Sequence, residues 1–194
     1  MNNKIKTAIL ISGRGSNMRN LINATKNPEY PAEISLVISN KENAVGLKFA
    51  NKMGIKTAFI NHKDFSSREE FDHRVSKIID ENECHIICLA GFMRLVSGWF
   101  VQKYQGRMIN IHPSFLPNFK GANAVEDALN SGASKSGCTT HFVSEQMDCG
   151  EIIMQAEVEV LKNDTKETLA ARILKQEHVI YPASLFKICQ TILK

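Results

Sequence analysis

The sequence predicts an α/β protein: a mostly parallel sheet between two helical layers, with an antiparallel extension in the C-terminal half. Three observations carry this. Short apolar runs alternate with stretches at helical spacing from Ile5 to about Ala90, the pattern of parallel strands joined by crossover helices. The first run passes at once into a glycine-rich turn and a helix. After Gly132 the period changes to that of two consecutive β segments.

Taken in order, Ile5–Ile11 carries little charge and reads as a central strand buried on both faces. Ser12, Gly13, Arg14, Gly15, Ser16 and Asn17 follow, then Met18, Leu21 and Ile22 at helical spacing to about Lys26. Residues 33–39 form the next strand, a helix ends near Gly54, and residues 56–60 form a third strand; this is a second crossover unit, right-handed by rule. Ser67 with Glu69 and Glu70 opens a long helix whose inner stripe is Phe71, Val75, Ile78 and Ile79. His62 and His73 read as surface residues, and His85 as making a local hydrogen bond. Residues 84–90 form a strongly apolar fourth strand, and residues 97–105 a helix carrying Trp99 and Phe100. Trp99 and Phe100 also form a candidate apolar patch between subunits. Residues 107–112 form a fifth strand, ended by Pro113; Pro117 and Gly121 hold the next segment in an irregular, rigid path. A helix over 122–129 precedes the β segments 137–143 and 152–160. The last helix opens at Thr165, kinks at Pro182 and resumes. The architecture is Rossmann-like, a three-layer αβα fold in one domain over residues 1–194.

Composition narrows the class. Apolar residues make up 43 % of the chain and charged residues 23 %, ordinary for a soluble globular domain. The formal charge of +4 is dispersed, which argues against nucleic-acid binding and only weakly favours an anionic ligand. Five cysteines at irregular spacing (Cys84, Cys88, Cys138, Cys149 and Cys189) read as small buried hydrophobes in a reducing compartment, and no close second pair suggests structural zinc. The N-terminus runs straight into a strand, and no apolar stretch nears the roughly 18 residues of a membrane span. A cytoplasmic location with no membrane partner is expected.

The chemistry gathers at the strand ends. In an open parallel sheet ligands collect beyond the C-terminal ends of the strands, so Gly13 to Asn17, the segment after Ala90 and the segment after Asn110 share one rim. Two readings stand for the glycine turn. One is an anion cradle, with Ser16 or Asn17 capping the helix and free N–H groups facing a phosphate; the other is an ordinary capped turn. Asn110 and His112 point to one face by the two-residue period of a strand, offering an amide donor and a base. The structural alternative is that they satisfy buried backbone groups. Asp148, in the returning loop, reads from spacing alone as an exposed turn aspartate; brought near, it would orient His112. His141 is a supporting polar group or a backbone-satisfied strand histidine. Together the set suits attack on a carbonyl carbon with an oxyanion donor, by direct transfer, since Ser114 lacks a nucleophile-elbow pattern. No short ligand motif supports a metal among His112, His141 and Asp148.

The sequence resembles the folate-dependent formyltransferases, and within them the phosphoribosylglycinamide formyltransferase family. The matching segments are Ser12-Gly13-Arg14-Gly15-Ser16-Asn17, Ala90-Gly91-Phe92-Met93-Arg94, Asn110-Ile111-His112-Pro113-Ser114-Phe115-Leu116-Pro117, His141-Phe142-Val143, Met147-Asp148-Cys149-Gly150 and Gln176-Glu177-His178. The resemblance implies transfer of a formyl group from 10-formyltetrahydrofolate to the amine of 5-phosphoribosylglycinamide, without a metal, in purine biosynthesis. It implies Asn110, His112 and Asp148 as the catalytic trio, with His141 in support. It implies Ser12, Gly13, Arg14, Gly15, Ser16, Asn17 and Glu177 around the phosphate and nucleotide. Met93, Arg94, Leu95, Val96, Ser144, Glu145, Gln146 and Met147, with Asn110 and Asp148, would surround the folate. Residues 1–105 would then form the nucleotide-binding half and 106–194 the catalytic and folate-binding half, in a monomer or homodimer.

Phe115 replaces a more usual leucine, Val125 stands where the family often carries histidine, and Leu174 where a polar contact residue occurs. Formyltetrahydrofolate hydrolase is the nearest alternative activity, but its usual N-terminal regulatory domain has no room before Ile5. The C-terminal domain usual in methionyl-transfer-RNA formyltransferase is likewise not expected after Lys194. A non-catalytic nucleotide-binding domain on the same fold is the non-enzyme option.

Overall fold

A computed structural model describes residues 4–193; Met1, Asn2, Asn3 and Lys194 lie outside the described residues. Seven strands form one sheet: β1 (Ile5–Ile11), β2 (Ala32–Ser39), β3 (Lys56–Phe59), β4 (Ile86–Leu89), β5 (Met108–His112), β6 (Lys135–Phe142) and β7 (Ile152–Glu159). Their order is β3-β2-β1-β4-β5-β6-β7. The first five are parallel; β6 adds antiparallel to β5, and β7 antiparallel to β6. The predicted mixed sheet is therefore present, with its turning point between β1 and β4.

Strand alternation builds the two cores. On β1, Ile9 and Ile11 face the layer of α1 (Ser16–Thr25), α2 (Val45–Lys52), α5 (Ala124–Asn130) and α6 (Lys166–Ile192). Ala8 and Leu10 face α3 (Arg68–Glu81) and α4 (Gly98–Lys103), whose Phe71, Val75, Ile79 and Phe100 close that side. Each fully buried aliphatic or aromatic side chain contributes about 1.5–3 kcal/mol. Phe100 is fully buried in this second core, so it cannot belong to the apolar surface patch expected from sequence. His73 does lie at the surface, stacked on Trp99 with ring centroids 3.7 Å apart.

Four further expectations change. The helix after β1 is not capped by Ser16 or Asn17: Gly15 is the cap, at φ 71°, and no side chain bonds the first turn. A left-handed residue turns the chain there without a side chain's help. Helix α6 continues unbroken through Pro182. Proline lacks the N–H that would bond the carbonyl of His178, and Asn20 Nδ2 donates to that carbonyl instead, at 2.5 Å. Cys149 is exposed, unlike the four buried cysteines. It sits in the β6–β7 loop, outside any apolar run. The alternation expected for β7 is also faint, because it is the edge strand and most of its residues are partly exposed.

Candidate active site

Ligand-sized crevices in open α/β sheets form where the strand order turns, outside the strands' C-terminal ends. Here that point lies between the loops after β1 and β4. The loops are joined: Ser12 N–H donates to Gly91 O at 3.0 Å, and Met93 N–H donates to Ser12 Oγ at 2.8 Å. The Ser12 hydroxyl in turn donates to Asn40 Oδ1 at 2.6 Å. The first intrahelical bond of α1 runs from Arg19 N–H to Gly15 O. The N–H groups of Ser16, Asn17 and Met18 precede it, and such leading N–H groups form an electropositive end suited to an anion. Gly15 is required there twice over. Its φ is left-handed, and an added Cβ would stand 3.0 Å from Met18 Cε and 3.3 Å from Gly46 Cα. Ser16 and Arg14 are exposed at this end.

Asn17 turns inward instead. Its Nδ2 donates to Glu177 Oε2 on α6 at 2.7 Å, while its Oδ1 is buried without a partner. Burial pushes the Glu177 carboxyl up from the usual range, opposed by the Asn17 bond. A buried carboxyl beside an unpartnered amide oxygen, next to a helix N-terminus, leaves polar capacity for a ligand.

β5 delivers the central pair. Ile109 and Ile111 enter the first core, so Asn110 and His112 take the opposite face. The antiparallel register sets His141 directly opposite Asn110, and their side chains meet, Asn110 Nδ2 to His141 Nε2 at 3.3 Å. His141 Nδ1 lies 2.9 Å from Phe142 O. A carbonyl only accepts, so Nδ1 carries the proton. Burial pushes the His141 pKa down, ahead of the opposing effects of that carbonyl and of Asp148. The ring is thus neutral, its Nε2 lone pair receives one Asn110 N–H, and the second N–H of Asn110 is left for a substrate. His141 thus contacts the Asn110 side chain as well as a backbone carbonyl.

His112 is 5 % exposed. Its Nε2 lies 2.9 Å from Phe119 O and its Nδ1 3.5 Å from Asp148 Oδ2. Both ring nitrogens face oxygen acceptors. Asp148 is no exposed turn residue, since its side chain is 8 % exposed. Its Oδ2 accepts the Gly121 N–H at 2.8 Å, and its Oδ1 lies 3.7 Å from His141 Nε2. The four groups predicted from sequence and resemblance stand together: Asn110, His112, His141 and Asp148.

Sequence reasoning missed the frame that holds them. Phe119 O and Gly121 N–H come from the loop after β5 and contact His112 and Asp148 respectively. That loop is tied down by hydrogen bonds: Ser114 Oγ donates to Asn118 O at 2.6 Å, Thr139 Oγ1 donates to Ser114 O at 2.7 Å, and Gln155 Nε2 donates to Leu116 O at 2.8 Å. Phe119 and Asp148 both adopt positive φ, 54° and 53°, at a cost of about 1–2 kcal/mol each that these contacts offset. Neither conformation has a periodic sequence signal. Ser114 is fully buried and its hydroxyl is engaged, so it is no nucleophile.

The expected folate-binding residues divide. Met93 and Leu95 point outward, 76 % and 53 % exposed, and Met147 is half exposed beside Gly121. The Arg94 guanidinium instead turns onto the Phe71 ring of α3, 5.2 Å from its centroid. Ser144 Oγ donates to Gln146 O, closing its own turn, and Glu145 accepts from Gln102 on α4. Val125 packs against the first core. Among the described residues, no group of three or more His, Cys, Asp or Glu is disposed to hold a metal ion, and no helix is long and apolar enough to cross a membrane.

Comparison with known proteins extends this geometry. The family model described as formyl transferase matches residues 5–185. The trifunctional purine biosynthetic protein adenosine-3 of Gallus gallus is 51 % identical over 183 residues, 94 % of this chain, which spans 18 % of that larger protein. The phosphoribosylglycinamide formyltransferase of Escherichia coli strain K12 is 41 % identical over 174 residues, covering 90 % of this chain and 82 % of its own. Among solved structures, glycinamide ribonucleotide transformylase 1 from Symbiobacterium toebii superposes with a TM-score of 0.95 at 37 % identity, over 98 % of this chain and 90 % of that one. Phosphoribosylglycinamide formyltransferase from Brucella melitensis superposes with a TM-score of 0.91 at 48 % identity, over 96 % of both chains.

Proposed function

The chain belongs to the formyl transferase family, and from that membership we propose that it transfers a formyl group from 10-formyltetrahydrofolate to the amine of 5-phosphoribosylglycinamide, a step of purine biosynthesis. One observation carries the reading: Asn110, His112, His141 and Asp148 converge on the rim that also carries an anion-ready helix terminus.

The substrate phosphate lies on the N–H groups at the start of α1, beside Ser12, Gly13, Arg14, Gly15, Ser16 and Asn17. Glu177, at the side of that cradle, accepts from the nucleotide's polar groups. The folate lies against residues 93–96 and 144–148, peptide edges on its polar rim and apolar side chains on its faces. The glycinamide amine attacks the formyl carbon directly. The formyl oxygen becomes an oxyanion and takes the free N–H of Asn110; a fixed donor of this kind is worth about 3–4 kcal/mol in a transition state. His112 supplies the second donor, its Nε2 exchanging the Phe119 carbonyl for the oxyanion. Asp148 supports positive charge on His112 and accepts the proton that the attacking amine loses. The carbon–nitrogen bond to the folate then breaks, the proton passes to the departing folate nitrogen, and tetrahydrofolate leaves. No covalent enzyme intermediate and no metal enter this sequence. We assign one formyltransferase domain to residues 1–194 and a cytoplasmic setting, where both small molecules are available.

The test is release of tetrahydrofolate from 10-formyltetrahydrofolate, followed by absorbance with and without phosphoribosylglycinamide. Release that depends on the glycinamide substrate supports transfer. Equal release without it identifies a hydrolase and overturns the assignment.

A further inference from the structure

One buried carboxyl has no part in the chemistry above. Asp72 lies on α3 at 2 % exposure, between residues of the second core. An acid in such surroundings is costly unless it is hydrogen-bonded. Its Oδ2 accepts the Ser97 backbone N–H at 2.5 Å. Ser97 is the cap of α4, where its own hydroxyl accepts the Phe100 N–H at 3.3 Å. Burial pushes the Asp72 carboxyl up, while the Ser97 bonds and the charges of Arg94 and Arg68 pull it back.

Ser97 ends the loop that begins at Gly91. At the loop's start, Met93 N–H is held by Ser12 Oγ at 2.8 Å. At its finish, Ser97 N–H is held by Asp72. Between these anchors, Arg94 lies over Phe71, one residue from Asp72, and its Nε is buried without a hydrogen-bond partner. Met93 and Leu95 face outward. The loop is therefore fastened at both ends, with its inward side chain lying on the helix that carries Asp72.

We propose that Asp72 is a positioning residue for the folate: by gripping Ser97 N–H it fixes the course of residues 93–96, against which the pterin lies. The proposal rests on the functional reading above. Asp72 bonds to neither the glycine turn nor the Asn110–His112–Asp148 group, and it reaches Ser12 only through the far end of the loop, so its larger effect falls on the folate.

The experiment measures steady-state transfer with each substrate varied, in wild type, Asp72→Leu and Asp72→Asn. Leucine keeps apolar volume in the core but removes the acceptor; asparagine keeps an oxygen for Ser97. Asp72→Leu is expected to raise KM for 10-formyltetrahydrofolate about tenfold, with KM for phosphoribosylglycinamide and kcat within about twofold, tenfold corresponding to about 1.4 kcal/mol. Asp72→Asn restores most of that affinity. Fluorescence of Trp99, the single tryptophan, sits just beyond Ser97 and reports folate binding separately from turnover. If Asp72→Leu does not fold, Asp72→Ala supplies the same loss of acceptor. An unmoved folate KM in a folded variant, or an equal rise in both KM values, overturns the role of Asp72. Wild-type protein that forms no formylated product overturns the functional reading instead.

Discussion

Replacing Asp148 by asparagine separates charge from shape at the centre of the site. The carboxylate makes three contacts: Oδ2 with the Gly121 N–H at 2.8 Å and His112 Nδ1 at 3.5 Å, and Oδ1 with His141 Nε2 at 3.7 Å. An asparagine can place its oxygen where Oδ2 stands and keep the first two. Its NH2 group then occupies the Oδ1 position and faces the His141 Nε2 lone pair, which is a donor meeting an acceptor. The hydrogen-bond frame survives, so thermal stability should stay within about 1 kcal/mol of wild type, the scale of a single neutral hydrogen bond. The charge does not survive. At 3.5 Å, with an effective dielectric constant near 20, a carboxylate and an imidazolium attract by about 4–5 kcal/mol. If that attraction is what holds His112 as a charged donor to the oxyanion, kcat falls by about a thousandfold, while KM for both substrates changes little. The assay is steady-state transfer paired with a thermal melt. A kcat within about tenfold of wild type would falsify the charge role, and a parallel collapse of stability would show that Asp148 is chiefly structural.

Gly15→Ala forces a side chain onto a φ of 71° and against Met18 and Gly46. It should cost about 1–2 kcal/mol of stability and raise KM for phosphoribosylglycinamide more than for the folate; equal effects on both would argue against an anion cradle at α1. Glu177→Gln tests a cost carried for function. Burial raises the folded-state pKa of Glu177, so its stabilising protonation is complete below the unfolded carboxyl pKa and is lost as pH rises through the folded one. A neutral glutamine has no such loss. The variant should therefore gain stability relative to wild type as pH rises above about 4, the ordinary carboxyl value, in denaturant melts, while its KM for the nucleotide substrate rises. A stability gap that shrinks with rising pH contradicts the sign.

The sequence made some of this legible because periodic structure leaves periodic marks. Ile5–Ile11 and the turn after it announce a central strand and a helix terminus without any relative. The two-residue period puts Asn110 and His112 on one face, and the register of β6 then brings His141 to Asn110. Asp148 was not readable this way. Its backbone is at positive φ in a loop, and its tightest partner is Gly121 N–H, 27 positions away in the chain; only resemblance pointed to it. Gly15 displaced Ser16 as the cap because a left-handed glycine needs no side-chain acceptor. Asp72 was invisible for a related reason. It sits beside Phe71 on the buried side of α3, where its helix pattern reads as polar surface and only the approach of Ser97 explains it.

The central claim is that the four clustered groups transfer a formyl group rather than release it to water. Its most direct measurement is the molar ratio of formylated glycinamide product to tetrahydrofolate formed, with both quantified in the same reaction. One product per folate released is expected, with release stopping when phosphoribosylglycinamide is withheld. Folate released in excess of product, or at an unchanged rate without the amine, would contradict it.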